Sequence, residues 1–327
     1  MSAHHHHDHH DHHGLHHHHH GALTRRAAIA SVATALFLLL LKSFAAWQTG
    51  SVAMLGSLAD TGLDLLASLV ILYGVRVAAT PADADHRFGH GKAEALAALF
   101  QVALITFSAA AIGWRAIVRL TTNQATADAE LGIGVSVIAI AATFALLAYQ
   151  RHVIARTGSV AITADNVHYQ TDLLLNLSVI AALVLDQFLG LTGADPVFGI
   201  AIALWLAWGA FKASSLAIDQ LMDREWPDER RARFLEVASN HPAMKGIHDF
   251  RTRRSGSRDF AQFHMYVAPQ MSVADAHDVM DEVEASIAKE FPGVEILIHL
   301  DPEGHVDQPG NDLVEADVTP IWFGKRP

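Results

Sequence analysis

The chain has 327 residues, 51% of them hydrophobic and 17% charged, with a mean hydropathy of +0.23. This excludes an ordinary soluble domain and leaves room for several membrane spans plus one small domain. A net charge of -11 excludes the basic footprint of a nucleic-acid binder, and the absence of cysteine excludes disulfides and thiolate metal sites. Any metal must be held by nitrogen and oxygen ligands.

Of 23 histidines, 13 lie in the opening "MSAHHHHDHHDHHGLHHHHH", which has no apolar periodicity. Residues 1–22 are expected to form a disordered cytoplasmic arm. It reads as a weak polyvalent metal buffer or as a tether with no role in transport, and the interspersed Asp8 and Asp11 argue against an engineered tag. Six apolar stretches follow, near 23–46, 52–79, 93–118, 131–150, 162–189 and 196–219, each long enough for the ~20 helical residues a bilayer core requires. Arg25 and Arg26 before the first stretch resemble the start of a signal peptide, but a further apolar stretch follows at once and favours a span.

Arg25, Arg26, Arg76, Arg87, Lys92, Arg151, Arg156, Lys212 and Arg224 fall on one side of this arrangement, while "QTGSV" and "GLTGADP" on the other carry no positive charge. Positive residues mark the cytoplasmic side, so both termini are expected there. Arg115 and Arg119 are the exception, at the far end of the third span, where long side chains snorkel.

After the transmembrane domain, 23–222, the composition changes to that of a water-exposed module, 223–304. "PDERRARFLEVASN" predicts an amphipathic helix, "IHDFRTRRSG" a strand entering a turn, and "RDFAQFHMYV" its hairpin partner. "SVADAHDVMDEVEASIAKEF" predicts a helix capped by Ser272 and Asp275, and "VEILIHL" a last strand, giving a two-layer α-β-β-α-β domain. Residues 305–327 read as a flexible tail.

The chemistry is concentrated in two of the spans. Asp60 and Asp64 in "ADTGLD" lie at i and i+4, on one helical face that Ser57, Thr61 and Ser68 extend into a polar stripe. The fifth span repeats the pattern with Asp165, His168, Asp172 and Asn176. An ionised side chain at mid-membrane costs ~2.5–3.5 kcal/mol even on lenient scales, and neither span offers an obvious cationic partner. Asp60, Asp64, His168 and Asp172 together supply four nitrogen and oxygen donors, which suits a tetrahedral divalent ion such as zinc. Full ligation sets three negative charges against two positive, tolerable only beside water. When the ion leaves, crowded carboxylates and an imidazole take up protons, which is the physical basis of antiport.

The motifs "TGSVAMLGSLADTGLD", "PADADHRFGHGKAEALAAL", "ADNVHYQTD", "LMDRE", "HDFRTR" and "IHLDP" resemble the cation diffusion facilitator family, in its bacterial ferrous-iron and zinc efflux branch, from about Arg25 to Pro302. The resemblance implies an all-α polytopic domain of six transmembrane helices plus a small cytoplasmic α/β metallochaperone-like domain. It implies a homodimer in the bilayer, in the inner membrane if bacterial, exporting Zn2+, with Cd2+ or Fe2+ as further cargo, in exchange for protons by alternating access. Its transport site falls on Asp60, Asp64, His168 and Asp172. A loop site falls on Asp83, His86 and His90, and a charge pair between the two domains on Lys92 and Asp223.

Strand alternation places Phe263, Met265 and Val267 on one face and His264 on the other, and likewise separates Val294, Ile296, Ile298 and Leu300 from His299 and Asp301. His248, His264, His277, His299 and Asp301 match the family's cytoplasmic ligands and imply a zinc site at the dimer face, regulatory or dimer-stabilising. The rival readings are a membrane-anchored metal sensor, which leaves the intramembrane carboxylates unused, and a membrane metalloenzyme, which would need a motif such as HExxH that does not occur here.

Overall fold

The computed structural model describes residues 14–49, 52–122, 133–189, 194–243 and 246–304. The expectations for 1–13 and for the tail lie outside the described residues. The chain divides into two compact units, the first covering His20–Asp219 and the second including Gln220–Pro327.

The first unit is helical: α1 Gly14–Thr49, α2 Val52–Ala78, α3 Ala93–Thr122, α4 Ile133–Thr157, α5 Val160–Leu189 and α6 Ala194–Leu221. α1 starts nine residues ahead of the expected span, so 14–22, expected to be disordered, is helical. Extending an existing helix needs no new nucleus, and a run with no apolar pattern is thereby drawn into the apolar helix beside it. Among the described residues, five helices contain stretches long and apolar enough to cross a membrane: Gly21–Gln48, Asp60–Ala78, Ala93–Val118, Val137–Thr157 and Pro196–Leu221. α5, at 30 residues, is about 45 Å long, enough to cross a bilayer core. It packs against α2, α3 and α4, and its Asp165 is fully buried in that packing.

Small residues make these helix contacts possible. Ala27 and Ala28 of α1, Ile71 and Val75 of α2, Ala97 of α3, Val153 of α4 and Ala161 of α5 form one buried cluster. At Gly74 an added Cβ would lie 2.4 Å from Ala97 Cβ and 3.2 Å from the Ala93 carbonyl oxygen. Both atoms are fixed to the α3 backbone, so α2 and α3 can meet here only over a hydrogen atom. Gly74→Ala, which ordinarily favours a helix by ~1 kcal/mol, is therefore expected to destabilise this one by ~1–3 kcal/mol. A lower unfolding midpoint in detergent would show it, and an unchanged or higher midpoint would refute it.

The second unit is the α-β-β-α-β domain: α7 Asp228–Ala238, β1 Ile247–Ser255, β2 Arg258–Val267, α8 Val273–Glu290 and β3 Val294–Pro302. Ser272 caps α8, its hydroxyl oxygen accepting from the Asp275 N–H. β2 is central, antiparallel to β1 and parallel to β3, the parallel pairing made possible by the α8 crossover. The core joins Phe234 and Leu235 of α7 and Val283 and Ile287 of α8 to Phe250, Phe263, Met265 and Ile298 of the sheet. Phe234 stacks on Phe250 with ring centres 5.1 Å apart. The helices cover one sheet face and leave the other to polar side chains.

Candidate metal centres

The helical spacing of α2 and α5 brings three of the four expected transport residues together. One ligand atom from each of Asp64, His168 and Asp172 lies within 4.8 Å of the others. His168 Nε2 is 3.1 Å from Asp64 Oδ1, with both side chains largely enclosed. Asp60, one turn before Asp64, is exposed and is not among the three. The donors are one imidazole and two carboxylates, a set suited to a borderline divalent ion with a fourth position open.

The rest of the two polar stripes serves helix contacts. Ser68, fully buried on α2, bonds the Tyr169 hydroxyl at 2.9 Å, and that hydroxyl donates to the Ser31 carbonyl of α1. Asp165, also fully buried, accepts from the Ser31 hydroxyl at 2.6 Å and from Gln150 Nε2 of α4 at 2.8 Å. Asn176 turns its amide to the Asp172 carbonyl. These residues tie α1, α2, α4 and α5 together, so only part of each stripe faces the candidate ion.

Sequence reasoning missed a cation beside this group. Lys42 of α1 donates from Nζ to Thr61 Oγ1 of α2 at 2.7 Å, and Thr61, itself buried, donates to the Ser57 carbonyl. Thr61 is the residue next to Asp60 and one turn from Asp64. The lysine sits in a long apolar run, and only the pairing of α1 with α2 reveals its partner.

A second group lies in the loop between α2 and α3. Asp83, His86 and His90 place one ligand atom each within 4.8 Å of one another. The Asp83 carboxylate accepts the His86 N–H at 2.6 Å and the Asp85 N–H at 3.0 Å, forming an Asx turn. The His86 N–H foremost holds the Asp83 carboxyl below the usual carboxylate range. Its turn-stabilising contribution is present above the ordinary carboxylate range and is lost only as pH falls through the lowered value. His90 Nε2 is 3.3 Å from Asp83 Oδ2 and His86 Nδ1 is 3.1 Å from Asp83 Oδ1, so one carboxylate contacts both imidazoles.

The third group lies on the open face of the sheet. Register pairs His248 with His264 across β1 and β2, and His264 with His299 across β2 and β3, setting three imidazoles in a row. Asp301, two residues beyond His299 and only 3% exposed, lies beneath them. Its Oδ2 is 2.9 Å from His264 Nδ1 and 3.3 Å from His248 Nε2, and its Oδ1 is 3.3 Å from His299 Nε2. His277 stands apart on α8, exposed and 3.3 Å from Asp281. Among the described residues of one chain it does not join the row, because α8 packs on the opposite, core-facing side of the sheet. Asp249 was missed: an irregularity in the β1 register follows His248, and Asp249 there takes φ 49°, with its Oδ2 3.7 Å from His264 Nε2.

Lys92 belongs to the helical unit, and Asp223 belongs to the small unit, where its Oδ2 is 3.7 Å from Arg253 Nη1.

Comparison with known proteins agrees with this division. The family described as "Cation efflux transmembrane domain" matches residues 28–222, and that described as "Cation efflux protein, cytoplasmic domain" matches 226–303. The chain is 41% identical over 282 residues to the cation-efflux pump FieF of Pectobacterium atrosepticum, covering 86% of this chain and 94% of the relative. It is 40% identical over 276 residues to the FieF pump of Yersinia pestis strain Pestoides F, covering 84% and 92%. Among solved structures, the metal-bound C-terminal domain of the CzcD transporter from Thermotoga maritima is 26% identical, covering 25% of this chain and 99% of that one, with a TM-score of 0.24.

Proposed function

This chain belongs to the cation efflux family of membrane transporters and is not an enzyme, and from that premise we propose that it is a homodimeric antiporter exporting zinc from the cytoplasm in exchange for protons by alternating access. The observation that carries this reading is the convergence of Asp64, His168 and Asp172 inside the helical unit, where ionised groups are costly without a cation to receive. Asp60 supplies the fourth ligand as the site closes on its cargo. Cadmium and ferrous iron are secondary cargo, and the imidazole favours zinc over harder ions such as manganese.

The exchange follows from ligand chemistry. Zinc binds deprotonated carboxylates and neutral imidazole, so loading expels protons, and protons entering from the far side displace the metal. Asp83, His86 and His90, at the expected cytoplasmic ends of α2 and α3, form a second site near the entrance. His248, His264, His299 and Asp301 form a regulatory zinc site on the small domain. By the family resemblance Lys92 and Asp223 are a functional charge pair, the positive-inside rule favours cytoplasmic termini, and the inner membrane is the setting if the source is bacterial.

His168→Asp replaces the borderline ligand by a hard one. It is expected to shift the zinc-to-manganese transport ratio towards manganese by about tenfold. Paired zinc and manganese flux in proteoliposomes tests this, and an unchanged ratio would remove His168 from metal selection.

A further inference from the structure

The proposed transport site leaves one negative charge unbalanced: three carboxylates, Asp60, Asp64 and Asp172, face a divalent ion and a neutral imidazole. The structure places a positive charge beside them. Lys42 Nζ lies 2.7 Å from Thr61 Oγ1, and the Thr61 hydroxyl proton is committed to the Ser57 carbonyl at 3.1 Å, so Thr61 can only accept from the lysine. Thr61 is buried at 2% exposure and lies between Asp60 and Asp64 on α2. Side chains one turn apart on a helix have Cβ atoms about 5–6 Å apart, which brings the ammonium into electrostatic range of the site.

We propose that Lys42 is a charge-balancing residue of the transport site: a tethered monovalent cation that makes the site neutral when loaded with a divalent ion and thereby limits how tightly that ion is held. This inference rests on the transport-site reading above. The chemistry follows from the charge count. With Lys42 in place, three carboxylates, one ammonium and one divalent ion sum to zero, and the loaded site carries no net charge as it changes access within a medium where uncompensated charge is costly. Without Lys42, the vacated site is one charge more negative, binds a divalent cation more tightly and releases it more slowly. Lys42 also differs from a metal ligand, because an ammonium has no lone pair and can act only through its field and its donor bond to Thr61.

The bland reading is that Lys42 only fastens α1 to α2. Two substitutions separate the possibilities. Lys42→Gln keeps a donor for Thr61 and removes the charge, and Lys42→Arg keeps the charge. The measurement is equilibrium Cd2+ binding to the full-length protein at about pH 8, where proton competition is least, with the transport-site share defined as the binding lost in Asp64→Ala. Maximal zinc flux in proteoliposomes is measured alongside. Lys42→Gln is expected to tighten transport-site cadmium binding at least about tenfold and to lower the maximal flux, while Lys42→Arg stays near native. Unchanged or weaker binding in Lys42→Gln, with Lys42→Arg equally impaired, would overturn the proposal in favour of a helix clamp. If neither variant can be purified folded, Thr61→Val serves instead: it frees the ammonium, and a cadmium affinity identical to native would overturn the proposal. Cadmium binding that survives Asp64→Ala undiminished would instead defeat the transport-site reading itself, and the inference with it.

Discussion

Asp64→Ala is expected to abolish transport, lowering the initial rate of zinc flux at least about a hundredfold and removing one high-affinity divalent ion per chain. Loss of a supporting contact to a metal ligand typically costs 10- to 100-fold in affinity, and Asp64 supplies a ligand atom itself. It is also the only one of the three converging residues contributed by α2, so without it His168 and Asp172 remain as two donors on a single helix. A pair of donors does not enclose a tetrahedral ion. The helices should stay together, because α2 is still held to α1 through Thr61 and to α5 through Ser68 when the Asp64 contact with His168 is lost. Folded protein that neither binds nor transports is the expected outcome. Flux within about threefold of native would place the transport site elsewhere.

Asp301→Ala is expected to remove the stabilisation that zinc gives the small domain while leaving the intramembrane site able to bind. Both oxygens of Asp301 face imidazoles, at 2.9–3.3 Å from His264, His248 and His299. Removing it leaves three imidazoles in a row with neither an anion to orient them nor one to offset a dication. Zinc at a hundred times its dissociation constant stabilises a one-site domain by ~2.7 kcal/mol, and this increment should vanish. Thermal unfolding of the full-length protein with and without zinc measures it: the native midpoint rises with zinc and that of the variant does not. A zinc-dependent rise retained in the variant would exclude Asp301 as a ligand, and loss of intramembrane cadmium binding would contradict the separation of the two sites.

Much of this arrangement is legible in the amino-acid sequence because the physics is local. Asp60 and Asp64 share a helix face by spacing alone, and the apolar alternation around His264 and His299 puts both on the face opposite Phe263 and Ile298. What escapes a sequence reading depends on partners distant along the chain. The polar stripes divide into ligands and fasteners only once α5 is placed against α2 and α4, which gives Ser68 to Tyr169 and Asp165 to Ser31 and Gln150. Lys42 is hidden in an apolar run whose neighbour only helix pairing supplies. Asp249 is hidden by a register irregularity that simple alternation does not foresee. His277 has a matching residue type on a helix, but the α8 faces occupied by Ala276, Val283 and Ile287 are the ones that meet the core.

The most direct test of the account is simultaneous measurement of zinc movement and lumenal pH in proteoliposomes carrying the native protein under an imposed proton gradient. Zinc moving opposite to protons, uphill against its own gradient and halted when the proton gradient is dissipated, is the predicted result. Zinc moving only down its own gradient, with no proton counterflow, would contradict antiport and make the protein a uniporter.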